Sequence, residues 1–212
     1  MTTADGCAVE VYILLPELGE AEIVHAVAPP GTAVLDLGTG TGRIAHRLIE
    51  LGHPVTAVDD SAEMLAHVRG AETVLGRIEE LRLDRRFDAV LLASHLINMP
   101  DNRAVLEAVR RHLTDDGRAV IEWHPPEWFD TLADGMGGYL GEVSVELLGV
   151  SRRGDLLSAT VRYQARGAMW DQPFTARRLT EEQLERSLRQ AGLTFATWCS
   201  PDRHWFTARK MA

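Results

Sequence analysis

The 212-residue sequence has no long hydrophobic run, only two cysteines and no excess of basic residues. No stretch approaches the roughly 20 consecutive apolar residues that a membrane-spanning helix needs. The apolar segment 11–15 is short, lies between Glu10 and Glu17 and follows no basic leader, which predicts that no signal peptide is present. Cys7 and Cys199 have neither metal-ligand nor redox spacing. We therefore expect a metal-independent, cytoplasmic protein with reduced thiols.

The charge balance disfavours nucleic acid as a partner. The formal net charge is −9, with 31 acidic and 22 basic residues. The densest basic groups are pairs, such as Arg110-Arg111 and Arg177-Arg178. A protein that grips nucleic acid needs a concentrated basic surface to neutralise phosphates. We expect no nucleic-acid and no membrane partner.

Short apolar runs alternate with amphipathic segments along the first 125 residues. Nearly continuous apolar runs are typical of parallel strands that are buried on both faces, with helices covering the sheet. A turn at 115–117 introduces the last of these strands. The pattern predicts strands at 33–37, 55–58, 73–75, 87–93 and 118–123, and helices at 17–28, 44–51, 62–68 and 101–113.

The pattern changes after residue 125. Segments 142–149 and 156–165 alternate as antiparallel strands do. Thr180 and Gln183 form a capping box that starts a helix, and Gly192 ends it. Two final strands are predicted at 193–198 and 205–209. The whole predicts an α/β fold with a Rossmann-like, mostly parallel sheet of seven strands, the last antiparallel, and an antiparallel strand pair inserted before the last helix.

A glycine-rich segment follows the first predicted strand. Three glycines alternate along Asp36-Leu37-Gly38-Thr39-Gly40-Thr41-Gly42, and a helix begins directly after them. Glycine allows positive φ and close approach of the backbone to a ligand. A helix N-terminus offers free N–H groups to an anion. The segment therefore predicts a ligand-binding loop, the alternative being a turn that packing alone requires.

The second predicted strand ends in Asp59-Asp60-Ser61. An acidic side chain at this place accepts hydrogen bonds from ribose hydroxyls. Either aspartate can serve, and Asp60 or Ser61 can instead cap the helix that follows.

Together these residues resemble the cofactor half of class I S-adenosylmethionine-dependent methyltransferases, over roughly residues 30–125. A dinucleotide-binding G-x-G-x-x-G pattern would place glycine at position 43, where this chain has Arg43. The resemblance rests on Asp36, Gly38, Gly40, Gly42, Asp59, Ser61, Met64, Leu65, Gly76 and the strand at 87–92.

The resemblance implies S-adenosylmethionine as cofactor and S-adenosylhomocysteine as product. Many relatives carry an acidic residue where this chain has Arg77, so adenine recognition would use backbone groups or Glu79. Met64 can equally be an ordinary core residue. The implied cofactor-binding residues are Asp36, Gly38, Thr39, Gly40, Gly42, Asp59, Asp60, Met64, Arg77, Ile78, Glu79, Ser94 and His95.

The implied reaction is methyl transfer to an O or N atom of a small-molecule acceptor. His95 and His124 follow the fourth and fifth strands, at the sheet edge where such folds bind ligands, and are candidate general bases. His95 can also be a lining or capping residue, and His124 can simply end its strand. The expected substrate-binding residues are Tyr12, Glu122, Trp128, Tyr139 and Trp170, although aromatic residues in strands are often core.

The resemblance divides the chain into four segments of one methyltransferase domain. These are an N-terminal helical segment (1–30), a cofactor-binding half (31–124), a substrate-cap insertion (125–179), and the final helix with a strand pair (180–212). A homodimer is one option for its assembly. Two rival functions are a protein of this fold that binds S-adenosylmethionine in a regulatory or non-methyltransfer role, and a nicotinamide-dependent oxidoreductase.

Overall fold

A computed structural model describes residue 6 and residues 8–211, so Cys7 lies outside the described residues. Strands and helices alternate up to residue 122, and strands dominate after it. The strands are β1 (Val34–Leu37), β2 (Val55–Asp59), β3 (Glu72–Leu75), β4 (Phe87–Leu92), β5 (Leu113–Glu122), β6 (Gly137–Leu140), β7 (Val143–Arg153), β8 (Leu156–Ala165), β9 (Ala168–Arg177), β10 (Leu193–Trp198) and β11 (Trp205–Lys210).

The helices are short, and two single turns of 3-10 helix follow β3 and β4. Within the described residues, we find no helix with the length and apolar character that crossing a membrane requires. The helices are α1 (Val9–Tyr12), α2 (Glu20–Val27), α3 (Arg43–Glu50), α4 (Ala62–Leu65), α5 (Arg103–His112), α6 (Pro126–Thr131) and α7 (Glu181–Gln190), and the 3-10 turns are Ile78–Glu80 and Leu96–Asn98.

The central sheet has seven strands in the order β10-β11-β5-β4-β1-β2-β3. Strands β1 to β5 pair in parallel, and β11 runs antiparallel to both β5 and β10. The predicted seven-stranded, mostly parallel sheet with an antiparallel last strand is confirmed. In this arrangement the carboxyl ends of β1, β2, β4 and β5 meet at one edge of the sheet.

Two hydrophobic clusters cover the two faces of this sheet. On one face, Leu106 of α5 and Leu188 of α7 pack against the strands. On the other, Val24 of α2 and Leu48 of α3 do the same. Because β1 is buried along its whole length, its sequence carries no polar alternation.

The predicted turn at 115–117 is wrong, because these residues lie inside β5. Phe87 pairs with Leu113 and Ala89 pairs with Arg118. An advance of two residues along β4 therefore corresponds to an advance of five residues along β5. The additional residues are accommodated as an irregularity of the ladder, as in a bulge. Turn-forming residues here distort a strand rather than begin one.

A second sheet of four antiparallel strands, β6-β7-β8-β9, lies between α6 and α7 in the chain; we call it the insertion sheet. The predicted strand pair corresponds to β7 and β8, and β6 and β9 extend it on both sides. Leu157 and Ala176 pack against Phe129 of α6. Val143 packs against Val11 of α1. The insertion sheet therefore contacts both the N-terminal segment and the segment after β5.

The capping box of α7 is confirmed. Gln183 N donates to Thr180 Oγ1 at 3.2 Å, and Thr180 N donates to Gln183 Oε1 at 2.8 Å. Gly192 follows the helix with φ +74°. These contacts satisfy backbone groups that a helix end leaves without partners.

We predict that Thr180→Ala lowers the free energy of unfolding by about 1 kcal/mol, because a helix N-terminal donor loses its acceptor. The control is Ser187→Ala, inside the same helix. It removes a hydroxyl too, but raises stability by up to about 0.5 kcal/mol through helix propensity. Urea unfolding measures the free energy of unfolding of both variants, which we expect to fall in Thr180→Ala and to rise in Ser187→Ala. Equal changes in the two variants would contradict the capping account.

Candidate active site

The glycine-rich segment forms a tight loop at the carboxyl end of β1. Gly38, Gly40 and Gly42 have φ values of +78°, +58° and +85°, which side-chain-bearing residues rarely adopt. The amides of Gly38 and Thr39 both donate to Val58 O at 2.9 Å. A Cβ placed on Gly38 would lie 2.8 Å from Leu96 Cδ1. The loop therefore requires glycine both for its turn and for a close contact.

The carboxylate of Asp59 fixes this loop to the end of β2. Its Oδ2 accepts a hydrogen bond from Gly40 N at 2.8 Å, and its Oδ1 accepts one from Ser61 N at 2.9 Å. Ser61 Oγ in turn accepts from Met64 N and caps α4. Asp60 is exposed. Of the alternatives left open by the sequence, Ser61 is the helix cap and Asp59 is the aspartate at the glycine loop.

Asp36 is a buried carboxyl group beside the loop, with an exposed fraction of 3%. Its Oδ2 accepts a hydrogen bond from Thr39 Oγ1 at 2.6 Å. Burial raises the pKa of Asp36 to about 6, and the negative charge of Asp59 acts in the same direction. A cationic group bound here would stabilise the ionised form of Asp36.

The residues expected near an adenine lie around the glycine loop and α4. The Ile78 side chain lies 3.6 Å from the Cβ position of Gly38. Arg77, directly before the 3-10 turn that contains Ile78, forms an ion pair of 3.5 Å with Glu79 on the turn. Met64 is buried in contact with α1, as expected of a core residue.

Tyr12 of α1 connects the glycine loop with the insertion sheet. Its carbonyl oxygen accepts a hydrogen bond from Thr41 Oγ1 at 3.2 Å. Its hydroxyl donates to Gln172 Oε1 on β9 at 3.3 Å. A Cβ on Gly40 would lie 3.9 Å from the Tyr12 ring. The N-terminal segment therefore lies against the glycine loop.

The loops after β4 and β5 bring two histidines into direct contact. His95 stacks on His124 with a ring-centroid distance of 3.8 Å and an interplanar angle of 18°. The Trp128 ring approaches His124 edge-on at 4.5 Å. Ser94 and His95 both have positive φ, +58° and +65°. Such conformations in residues other than glycine cost energy and cluster at functional sites.

Glu122, the last residue of β5, faces the same histidines. Its Oε2 accepts a hydrogen bond from Ser94 N at 2.6 Å, and its Oε1 lies 4.0 Å from His124 Nε2. Burial raises the pKa of the Glu122 carboxyl group. The candidate catalytic residues of the sequence therefore form one cluster with a carboxylate.

Both imidazoles are neutral at physiological pH. Burial lowers the pKa of His95 to about 4. Burial, with the neighbouring His95 and His204 rings, holds the pKa of His124 well below its usual range. Among the described residues, neither Nδ1 atom has a hydrogen-bond partner, although both atoms are buried. Buried polar atoms without a partner are rare in folded proteins, so these two nitrogens mark the histidine cluster as a candidate functional site.

Two other expected substrate residues lie on the insertion sheet. Tyr139 on β6 is 80% exposed. Trp170 on β9 packs in the cluster of Tyr12 and Val143. Sequence reasoning missed Leu96, which lies against the glycine loop, and Asn98, which bonds His124. The sequence feature that could have indicated both residues is their position, directly after the predicted site residues Ser94 and His95.

A separate concavity of about 1380 Å³ lies at the opposite edge of the sheet. Its walls include Arg110, Arg118 and Arg209, and Asp115, which pairs with Lys210 at 2.9 Å. These residues lie near the amino ends of β4 and β5. The concavity is therefore distinct from the site at the glycine loop.

Comparison with known proteins identifies the family. A family model described as a methyltransferase domain matches residues 34–117. The dTDP-3-amino-3,6-dideoxy-alpha-D-glucopyranose N,N-dimethyltransferase of Streptomyces fradiae is 30% identical over 196 residues, which cover 82% of this chain and 74% of that protein. The chain therefore belongs to the S-adenosylmethionine-dependent methyltransferases.

Solved structures agree on the fold. The CcbJ methyltransferase from Streptomyces caelestis superimposes with a TM-score of 0.80 and 23% identity, covering 100% of this chain and 99% of that one. The sugar N-methyltransferase KedS8 from a Streptoalloteichus species gives 0.75 and 23%, covering 100% and 96%. The fold is thus the class I methyltransferase fold that the sequence predicts.

The residues at the carboxyl edge of the sheet fit S-adenosylmethionine, the cofactor of this family. The glycine loop presents backbone rather than side chains, and among the described residues a Cβ added to Gly40 would contact only the Tyr12 ring. The buried Asp36 suits an ammonium group, and Asp59 suits hydroxyl donors. Neither the regulatory nor the nicotinamide alternative finds support among the relatives.

We predict that acid weakens the fold through His124. The pKa of His124 is lower in the folded chain than its ordinary value of about 6.5. Below that pH the unfolded chain therefore binds a proton at this residue that the folded chain does not bind, and protonation favours unfolding. Replacing His124 by Gln should therefore reduce the loss of unfolding free energy between about pH 7 and about pH 5 by about 2 kcal/mol. Urea unfolding at both pH values measures this, and identical losses in variant and wild type would contradict it.

Proposed function

We propose that this methyltransferase acts on an amino group of a small, sugar-like molecule. The observation that carries the proposal is the cluster of Glu122 with the neutral, stacked His95 and His124, at the edge that also holds the glycine loop. The names of two similar proteins, an amino-sugar N,N-dimethyltransferase and a sugar N-methyltransferase, support it.

The cofactor half holds S-adenosylmethionine, which supplies a methyl group already activated by its sulfonium. The ionised Asp36 orients an ammonium group, and the backbone of Gly38, Thr39 and Gly40 follows the methionine portion. Asp59, which lies at the end of β2 beside the glycine loop, accepts from the ribose hydroxyls.

Residues of the same half surround the adenine, and others line the side of the cofactor that faces the acceptor. Gly42 completes the loop side, and we assign the ribose to Asp59 rather than to the exposed Asp60. The further residues proposed for this role are Met64, Arg77, Ile78, Glu79, Ser94 and His95.

The cluster of Glu122, His95 and His124 selects an amine in its neutral form. An amine attacks through its lone pair, so it must first lose any additional proton. Burial disfavours charged nitrogen, and the burial that keeps His95 and His124 neutral also favours the neutral amine. Glu122, whose pKa is raised by burial, accepts a hydrogen bond from the amine N–H and takes the proton that the methylated nitrogen releases, while the neutral imidazoles hold the amine in place. The protein otherwise contributes alignment and exclusion of water.

The acceptor is enclosed by aromatic side chains around this cluster. Trp128 lies against both histidines. Tyr12, Tyr139 and Trp170 belong to the segments that cover the site. We extend the proposal to the division into segments 1–30, 31–124, 125–179 and 180–212. Metal independence, cytoplasmic location, a homodimer and the absence of nucleic-acid and membrane partners stay predictions.

The proposal is tested with methyl-labelled S-adenosylmethionine and pairs of nucleotide-linked sugars that differ by an amino or a hydroxyl group at one position. We predict label transfer to the amino sugar of a pair and none to its hydroxyl partner, because only the amine carries an N–H and a basic lone pair. Mass spectrometry of the products locates the label. Equal labelling of both members, or of the hydroxyl alone, would overturn the proposed acceptor.

The same assay with Glu122→Gln isolates the carboxylate. We expect kcat to fall by about 10²-fold or more, with the dissociation constant of S-adenosylmethionine unchanged, because Glu122 touches the acceptor and proton transfer contributes in that range. The matched control is Glu127→Gln on α6, an exposed glutamate. A kcat equal to that of the control would remove Glu122 from the mechanism.

A further inference from the structure

We infer that Asn98 is a positioning residue, which sets His95 and His124 against each other and attaches the insertion sheet to them. The inference rests on the proposed function, since it concerns the same two histidines. Asn98 touches neither acceptor nor cofactor in this role. It acts through the backbone of its neighbours.

The side chain of Asn98 is fully buried, with an exposed fraction of 0%. Its Oδ1 accepts a hydrogen bond from His124 N at 3.0 Å. Its Nδ2 donates to His124 O at 3.3 Å and to Arg177 O at 3.0 Å. One amide thus holds both backbone groups of His124 and the last residue of β9.

The main chain of Asn98 bonds the other histidine. Asn98 N donates to His95 O at 2.8 Å across the 3-10 turn. His95 and His124 come from different strand ends, whose loops are also joined by the hydrogen bond from Ser94 N to Glu122 Oε2. Asn98 adds hydrogen bonds to the backbone of both histidines, and in this role it sets the 3.8 Å stack of their rings.

Only an amide serves all of these contacts. The His124 N–H needs an acceptor, whereas the carbonyl oxygens of His124 and Arg177 need a donor. Asn provides one acceptor oxygen and two N–H donors on one short, planar group. An ionised aspartate would face two carbonyl oxygens without a proton to donate. A buried polar network with every member satisfied fixes a unique arrangement.

A second buried asparagine nearby provides the control. Asn102 precedes α5, has an exposed fraction of 5%, and donates through Nδ2 to Ile97 O at 2.6 Å. It lies in the same connection between β4 and α5, but its amide bonds neither histidine. Replacing Asn102 therefore removes a buried amide of equal size without touching the histidine stack.

The experiment compares Asn98→Ala, Asn98→Ser and Asn102→Ala in the full chain. We expect Asn98→Ala to lower kcat by about 10²-fold, the cost of misplacing a catalytic group by about 1 Å, with S-adenosylmethionine affinity unchanged. Asn102→Ala should lower the melting temperature and leave kcat within about twofold of wild type. If Asn98→Ala does not fold, Asn98→Ser, which keeps a small hydrogen-bonding group, gives the same comparison.

The imidazole NMR signals of His95 and His124 provide a readout that does not depend on the reaction. They should move in Asn98→Ala and stay in place in Asn102→Ala. Unmoved signals, or a kcat equal to that of the Asn102 variant, would overturn the inference. If wild type methylates no amine, the proposed function fails, and the NMR comparison still decides the role of Asn98.

Discussion

The hydrogen bond from Gly40 N to the carboxylate of Asp59 is the contact on which the site depends. It joins the loop after β1 to the end of β2 at a distance of 2.8 Å. The loop can reach Asp59 because three glycines take positive φ, and it leaves backbone rather than side chains facing the cofactor. The second carboxyl group, Asp36, lies buried below the same loop, where its negative charge is costly until a cation is bound.

The acceptor side follows from the same topology. Parallel strands end at one edge of the sheet, so the residues after β4 and β5 meet beside the glycine loop. Burial there removes the charge from His95 and His124 and raises the pKa of Glu122. A site of this kind stabilises neutral polar groups, which is what the proposed amine acceptor requires. The insertion sheet packs against Trp128 beside the histidines, and α1 packs on the same sheet.

Local patterns in the sequence were sufficient for most of the central sheet and for the glycine loop. Continuous apolar runs gave β1 and β4, and the Thr180 capping box gave the start of α7. The strands β6 and β9 were missed because Gly137 and Pro173 are unusual strand residues. Both lie on edge strands, where pairing on one side tolerates them.

The histidine cluster was predictable only in part. The ends of two neighbouring strands placed His95 and His124 at one edge, but their stacking and the role of Asn98 depend on contacts between residues far apart in the chain. The same holds for the position of Asp59, rather than Asp60, at the glycine loop, which depends on its hydrogen bond to Gly40. Sequence spacing specifies which residues meet at the edge, and tertiary packing specifies which atoms touch.

Calorimetric titration of wild type, Asp59→Ala and Asp60→Ala with S-adenosylmethionine tests the central claim most directly. Asp59 anchors the glycine loop and Asp60, its neighbour, is exposed. The account predicts that wild type and Asp60→Ala bind with the same affinity and that binding by Asp59→Ala is lost. Full affinity in a folded Asp59→Ala variant, or loss in Asp60→Ala alone, would contradict it.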